Sequence, residues 1–492
     1  MYKKLASNTL AQIFSKVVTA LIALILISVL TRTLPIEYFG AYNKIYNYFA
    51  IVAFLADLGL YTLMIREISA GKSTEKVLGN SLSLRVFLGV IVSIAALLLT
   101  LILPGFSSGI IFVASSFIAV FTILSLINSS FLAVMQAHMK IEYHFISFVG
   151  GKILHLLLIL LFCFWIFSPE PLLDMRFISL FVAGLLSVMF TTYLNYRYVS
   201  RIVNVKFLLD FNYIKELFYT SLPYGAALFL SVVYFRIDIL LLGFLEEDSL
   251  GNISIALYSL PMKIVEVLMV LGVFYLNSLL PRLTELYKKT DILGVQKIFS
   301  LSFKILFSFS LALYILSQLF ASDIIQILAH SEYLSPTVHN YSSLDIFPLV
   351  FGILIFHFLA LLYSYLLIAS EKQSLLLKVH FFVTLINIVG NIILIPYFSF
   401  YGAAIVTLIS QVFLLIILLF IVGRHCKITI PLLMQCFYSI LLGVFLFYFY
   451  TGILTNFPLG VFLQVFIYGT IFAFIYGLGE YLISKKYIKS LI

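Results

Sequence analysis

Apolar residues run along this chain in unbroken stretches, each parted from the next by a short polar connection. A helix that crosses a bilayer needs about 20 mainly apolar residues. Stretches of that length recur at Leu10–Leu30, Ile45–Ile65, Leu84–Leu103, Ile110–Val134, Phe145–Phe167, Phe177–Leu194 and Leu217–Leu242. They continue at Ile253–Leu280, Phe299–Phe320, Ile346–Ala369, Val379–Ile395, Ala403–Val422, Leu432–Tyr450 and Gly460–Leu482. The window rule therefore predicts about 14 transmembrane helices. Strands of a membrane barrel would instead alternate apolar and polar residues over about 10 positions. The expected fold class is an all-α integral membrane protein.

Composition agrees with the pattern. Of 492 residues, 63% are hydrophobic and 10% charged, against roughly 45–50% and about 25% in soluble domains. Too little polar surface is present to coat a globule of this size in water. The net charge of +9 follows membrane topology and is no nucleic-acid footprint. With an inside N-terminus, alternate connections collect Lys3, Lys4, Arg66, Lys72, Lys76, Arg85, Lys140, Arg197, Arg201, Lys206 and further lysines and arginines to Lys489. The opposite connections hold only Arg32 and Arg176, together with Glu246, Glu247, Asp248, Asp323 and Glu332. The positive-inside rule then places both termini in the cytoplasm. The first apolar segment contains Lys16 and no A-x-A-like site, so it reads as a retained helix. Cys163, Cys426 and Cys436 have no paired spacing, and neither a disulfide framework nor a zinc site is expected.

The longest inner connection, about Asn195–Glu216, mixes basic residues with Ile, Val, Phe and Leu and resembles an amphipathic linker on the membrane surface. It falls near mid-chain and sets the expected lobes at 1–205 and 206–425, with two additional helices in 426–492. The longest outer connection, about Ser322–Leu344, reads as a short helix and a loop. Both halves pass from a long helix through an outer loop ending in Gly (Gly40, Gly251) to a helix bearing Tyr and Lys-Ile (Tyr42 and Lys44-Ile45; Tyr258 and Lys263-Ile264). Duplicated halves with the substrate between them are common in secondary transporters.

The candidate chemistry lies in charges at membrane depth. Lys16, Lys44, Lys152, Arg236, Lys263 and Lys304 fall within predicted spans, as do Asp57, Asp238 and Glu266, with Glu480 near the last helix end. Insertion scales charge roughly 2.5–3.5 kcal/mol for each such residue at a helix centre. Lys16, Lys44 and Lys304 are close enough to helix ends for their ammonium groups to snorkel to an interface. Lys263 is about ten residues into its helix, about 15 Å from the end, and Asp57 is similarly deep. Lys263 and Glu266 share a helix face, so mutual neutralisation competes with a site. Arg236 and Asp238 point apart and need other partners. Cations outnumber anions, which suits an anionic substrate in a low-dielectric cavity. Asp57, Asp238 and Glu266 are candidates for coupling a proton or sodium ion, or for structural pairing.

Several short motifs resemble the polysaccharide transporters, the O-antigen-type flippases of the multidrug/oligosaccharidyl-lipid/polysaccharide (MOP) exporter superfamily. They are Ser28-Val29-Leu30-Thr31-Arg32-Thr33-Leu34 with Glu37-Tyr38-Phe39-Gly40-Ala41-Tyr42, then Asp57-Leu58-Gly59-Leu60 with Arg66-Glu67-Ile68. Arg236-Ile237-Asp238, Tyr258-Ser259-Leu260-Pro261-Met262-Lys263, Asn387 to Asn391, Ile395-Pro396-Tyr397 and Tyr401-Gly402-Ala403-Ala404 follow in order. The resemblance implies two pseudo-symmetric six-helix lobes around a central cavity, plus two C-terminal helices. It implies flipping of an undecaprenyl-pyrophosphate-linked oligosaccharide from the inner to the outer leaflet of the bacterial cytoplasmic membrane, by alternating access. By position it assigns substrate binding to Lys263 and Arg236 first, and to Lys44 and Arg32 second. The expected partners are the lipid-linked oligosaccharide, membrane lipids, a coupling proton or sodium ion and a polysaccharide polymerase. No cofactor is called for.

Two rivals stand beside this reading. A multidrug exporter of the same fold would need an acidic cavity. A membrane-embedded polymerase or glycosyltransferase usually presents catalytic residues on a sizeable outer loop, whereas Glu246-Glu247-Asp248 sits in a short one. No G-x-x-x-x-G-K-[ST] pattern occurs, so the chain is expected neither to hydrolyse ATP nor to be an enzyme.

Overall fold

The structure, a computed structural model, describes residues 2–106, 108–167, 170–335, 337–372, 374–426, 433–453 and 460–491. Helices α1 (Tyr2–Thr33), α2 (Ile36–Asp57), α3 (Leu60–Ser69), α4 (Thr74–Thr100), α5 (Gly109–Ala137), α6 (Ile141–Leu161) and α7 (Leu173–Val199) come first. After them come α8 (Phe211–Leu245), α9 (Asp248–Lys288), α10 (Ile292–Leu328), α11 (Ser343–Ala369), α12 (Ser374–Cys426), α13 (Leu433–Ile453) and α14 (Val461–Leu491). Among the described residues, ten helical segments are long and apolar enough to cross a membrane. The protein is an all-α, multi-pass membrane protein.

Three expected spans depart from one straight rod each. The second is α2 and α3 in series, broken where Leu58 (φ 48°) and Gly59 (φ 73°) both take left-handed backbone. Gly225 of α8 lies against this break: a Cβ there would stand 2.5 Å from the Leu58 carbonyl carbon. The eleventh and twelfth expected spans share α12, which turns at Ser399 (φ 51°, ψ −138°) just after Pro396. Gly402 completes that corner, since a Cβ there would come within 2.7 Å of the Leu394 carbonyl oxygen. The long outer connection is a single turn at Ser331–Tyr333 and a lone bridge between Val338 and Tyr341, ahead of α11.

The mid-chain connection carries no helix between Val199 and Phe211. Leu208 donates its N–H to the Gly79 carbonyl (3.3 Å), and Asp210 donates to the Asn80 side chain (2.8 Å), so the segment runs along the start of α4. Asp210 then caps α8 by accepting from the Tyr213 N–H at 3.1 Å. Lys76, 3.0 Å away, and that cap hold the Asp210 carboxyl below its ordinary pKa.

The chain divides into two compact units, Met1–Ala256 and Leu257–Ile492. Compactness groups α8 with the first unit because α8 packs on α2, α3 and α4. One apolar core of that unit joins Leu63 and Met64 of α3, Leu78 of α4 and Phe131 and Val134 of α5. In the second unit α10 packs against α11, α13 and α14. Leu311 and Ile315 of α10 meet Leu446 of α13 and Phe472 and Tyr476 of α14.

A buried ion pair fastens the last helix. Lys304 of α10 and Glu480 of α14 stand 4.0 Å apart, both largely withdrawn from the surface. Ser308 and Ser439 meet at 3.3 Å and tie α10 to α13 in the same layer. Removing one member of a buried pair strands the other charge, at a cost on the order of 3 kcal/mol. Lys304→Ala should therefore lower the thermal midpoint of the purified protein in detergent, and Lys304→Met with Glu480→Gln should restore most of the loss. A midpoint unchanged by Lys304→Ala would mean the pair does not hold α14.

Candidate functional site

In the first unit, Lys44 and the asparagine that meets Arg236 lie close together on α2. Asn43, Lys44 and Asn47 succeed one another at helical spacing and are all buried. Asn47 donates to the Asn43 carbonyl (2.8 Å), and its side-chain oxygen accepts from Arg236 of α8 (2.5 Å). Asp238, two residues on in α8, is 1% exposed. Arg236 and Asn47 therefore join α8 to α2.

Lys44 is drawn inward, not snorkelled. Its side chain lies against Gly243 of α8, where a Cβ would stand 2.8 Å from the lysine Cδ. The ammonium donates to the Gly105 carbonyl and lies 5.1 Å from the centre of the Phe106 ring. Gly105 takes left-handed backbone (φ 73°) in the turn after α4. Arg32, in the last turn of α1, is exposed. Arg176 reaches nearby carbonyls, donating to Thr33 and Phe167 at 2.7 Å each, where a cation offsets the carbonyl ends of helices.

Asp57 is paired. Its carboxylate meets the guanidinium of Arg85 on α4, and Arg85 also donates to Ser130 of α5 at 2.6 Å. Arg85 is wholly buried. The charge pattern counted Arg85 among the inner connections; the structure corrects this and sets it in the body of α4 beside the α2–α3 break. The signal was an arginine followed at once by the apolar run Val86–Val90.

In the second unit, Lys263 and Glu266 lie one turn apart on α9 and are half-buried. The side chain of Lys16 lies outside the described residues. Two buried polar pairs of α12 also lie in this unit. Asn387 and Asn391 of α12 are wholly buried, the second donating to the first's carbonyl at 3.0 Å. Thr407 and Gln411, later in α12, are buried as well, and Tyr258 of α9 meets Thr407 at 3.1 Å. Four polar side chains at i, i+4 spacing within two apolar runs were the available signal. Such a cluster supplies oxygen ligands and hydrogen-bond donors at depth without a net charge.

A family model described as "Polysaccharide biosynthesis protein" matches residues 5–287. The chain belongs to the polysaccharide biosynthesis protein family. That membership agrees with the family resemblance carried by the sequence motifs. A second model, MatE, matches residues 223–393. Among solved structures, "Lipid II flippase MurJ, inward closed conformation" shares 13% identity and a TM-score of 0.75, over 98% of this chain and 100% of that one. An inward-facing multidrug resistance MATE transporter of the MOP superfamily shares 15% identity and a TM-score of 0.64, over 84% and 94%. A MOP superfamily transporter from Pyrococcus furiosus, described by a binding pocket of reverse polarity, shares 15% identity and a TM-score of 0.59, over 87% and 96%. No curated protein matches the chain. At these identities the structural likenesses establish the fold that the family shares with lipid and drug transporters.

Proposed function

We propose that this member of the polysaccharide biosynthesis family moves an undecaprenyl-pyrophosphate-linked oligosaccharide from the inner to the outer leaflet of the bacterial cytoplasmic membrane. It does so by alternating access, with both termini cytoplasmic and functional lobes at 1–205 and 206–425. The observation that carries the reading is the presence of two half-buried cations, Arg236 on α8 and Lys263 on α9, within long helices of a polysaccharide-family protein. Cations within such helices set a positive potential, which favours an anionic group such as a pyrophosphate or an acidic sugar. Lys44 and Arg32 extend the positive potential in a supporting role. Asp238, Glu266 and the Asn387–Asn391–Thr407 cluster are the groups proposed to couple a proton or sodium ion.

In a strain lacking the protein, the lipid-linked repeat unit should accumulate in the inner leaflet. The wild-type gene should relieve that accumulation, whereas Lys263→Ala and Arg236→Ala should each lower export at least tenfold, at unchanged protein level in the membrane. Normal export in both variants would remove the cation assignment. Accumulation of single units in the outer leaflet would indicate a polymerase.

The MatE match over residues 223–393 favours one second reading, export of amphipathic drugs. It predicts no accumulation of lipid-linked sugar in the deletion strain and heightened drug sensitivity instead.

A further inference from the structure

Lys152 is a cation at depth that the reading above leaves without a role. It lies eleven residues into α6 (Ile141–Leu161), about 16 Å along the helix at 1.5 Å per residue, too deep to snorkel. The surrounding sequence is polar at helical spacing on three helices. Ser125, Asn128 and Ser129 follow one another on α5, His144 and Lys152 lie two turns apart on α6, and Ser187, Thr191 and Asn195 recur on α7. Residues three and four apart share a helix face, so each helix presents a polar stripe within an otherwise apolar run.

The fold turns these stripes toward one another. Helices α5 and α6 both pack closely on α7 and much less on each other, which leaves a cleft between them with α7 as its floor. Gly151 fixes the approach of α6 to α7, since a Cβ there would stand 2.1 Å from the Thr191 hydroxyl oxygen. The cleft holds a half-open cavity of about 260 Å³ lined by Ser125, Asn128, Ser129, His144, Lys152 and Ser187, with Phe121 and Phe148 among its walls. Its polar wall is rigid. Asn195 donates to the Asn128 side-chain oxygen (2.9 Å) and contacts His144 (3.3 Å), while Asn128 donates to Thr192 (2.7 Å). The Lys152 ammonium lies 5.7 Å from the centre of the Phe148 ring. The titratable groups lining the cavity are Lys152 and His144, with no carboxylate among the described lining residues.

We propose that this cavity, contained within the first unit, is a binding site for a single acidic sugar residue. Each part of the lining answers to one part of such a ligand. The Phe121 ring takes the apolar face of a pyranose, serine hydroxyls and a fixed carboxamide take its hydroxyls, and Lys152 takes its carboxylate. A bare phosphate would have no use for the aromatic walls, and a polyprenyl tail none for the polar ones. Pockets for drug-sized ligands measure about 300–1,000 Å³, so this smaller cavity suits one sugar and not a repeat unit. The physiological meaning rests on the reading of the protein as a carrier of lipid-linked sugars. Binding to purified protein is measured apart from export, so the two readings fail separately.

Titration calorimetry on the full-length protein in lipid nanodiscs, with glucuronate, glucose and inorganic phosphate as probes, tests the site. Glucuronate should bind at least tenfold more tightly than glucose and than phosphate. Lys152→Met should abolish the preference for glucuronate while leaving glucose binding unchanged, and Lys152→Arg should keep most of it. Failure of glucuronate to bind, equal affinity for glucose, or a preference that survives Lys152→Met would overturn the proposal. Phosphate binding as tight as glucuronate would reduce the site to a simple anion site and overturn the sugar assignment. Where Lys152→Met fails to fold, Ser187→Leu, which fills the cavity, takes its place and should likewise abolish the preference; a preference that survives it overturns the proposal.

Discussion

Arg85→Ala should destabilise the protein by about 3–5 kcal/mol, the range for breaking a buried ion pair by removing one partner. The arginine is wholly buried in α4 and spans three elements, meeting Asp57 at the end of α2 and Ser130 on α5. Truncation leaves the Asp57 carboxylate in a low-dielectric interior with no fork of donors, at the point where α2 stops and two left-handed residues begin. Arg85→Lys should recover only part of the loss, because a single ammonium cannot serve a carboxylate and a hydroxyl in the same planar geometry. Combining Arg85→Met with Asp57→Asn should recover more than Arg85→Lys, because no unpaired charge remains. Thermal unfolding in detergent, followed by the amount of monodisperse protein surviving each temperature, measures all three. An Arg85→Ala protein as stable as wild type would show that the pair bears no structural load.

Gly40→Ala is the second large effect expected. A Cβ at Gly40 of α2 would stand 1.7 Å from the carbonyl oxygen of Asn252, near the start of α9 within the first unit. The obstacle is backbone on both sides, so no rotamer change relieves it and one helix must be displaced. Overpacking costs typically 1–3 kcal/mol and occasionally more; here about 3 kcal/mol or more is expected. That outweighs the roughly 1 kcal/mol by which alanine exceeds glycine in helix propensity. The control is the same substitution at Gly477 in α14, where nothing lies within 4 Å of the added Cβ. Gly477→Ala should be neutral or stabilising by up to about 1 kcal/mol. Loss of membrane-inserted protein for Gly40→Ala but not for Gly477→Ala, read by immunoblot and thermal unfolding, checks the contrast. Equal behaviour of the two would mean that α2 and α9 do not meet at Gly40.

The same close approach explains why Gly40 sits in the motif Glu37-Tyr38-Phe39-Gly40. The sequence displayed the motif but not its reason, because the partner is a backbone carbonyl more than two hundred residues away. Lys44 follows the same logic. Its depth and charge were legible, whereas its acceptor, the Gly105 carbonyl, depends on a left-handed turn after α4 that no local pattern around Lys44 announces.

What the sequence determined by itself was set by solvent. Lipid excludes unsatisfied backbone, so every apolar run long enough to cross had to be helical. That constraint acts residue by residue along the chain and yields the all-α membrane class and the positions of the spans; the order of the motifs added the family. Only the tertiary structure decided which buried polar groups face each other. It paired Asp57 with Arg85, gave Arg236 to Asn47, and gathered Lys152 with His144 and Asn128 around one cavity. The physical reason is range. Hydrophobic periodicity is written over a few turns of one helix, but the partner of a buried charge is chosen by the packing of helices distant in sequence. Inside a bilayer an unmet charge is costly enough that this packing, and not the local pattern, settles where each one lies.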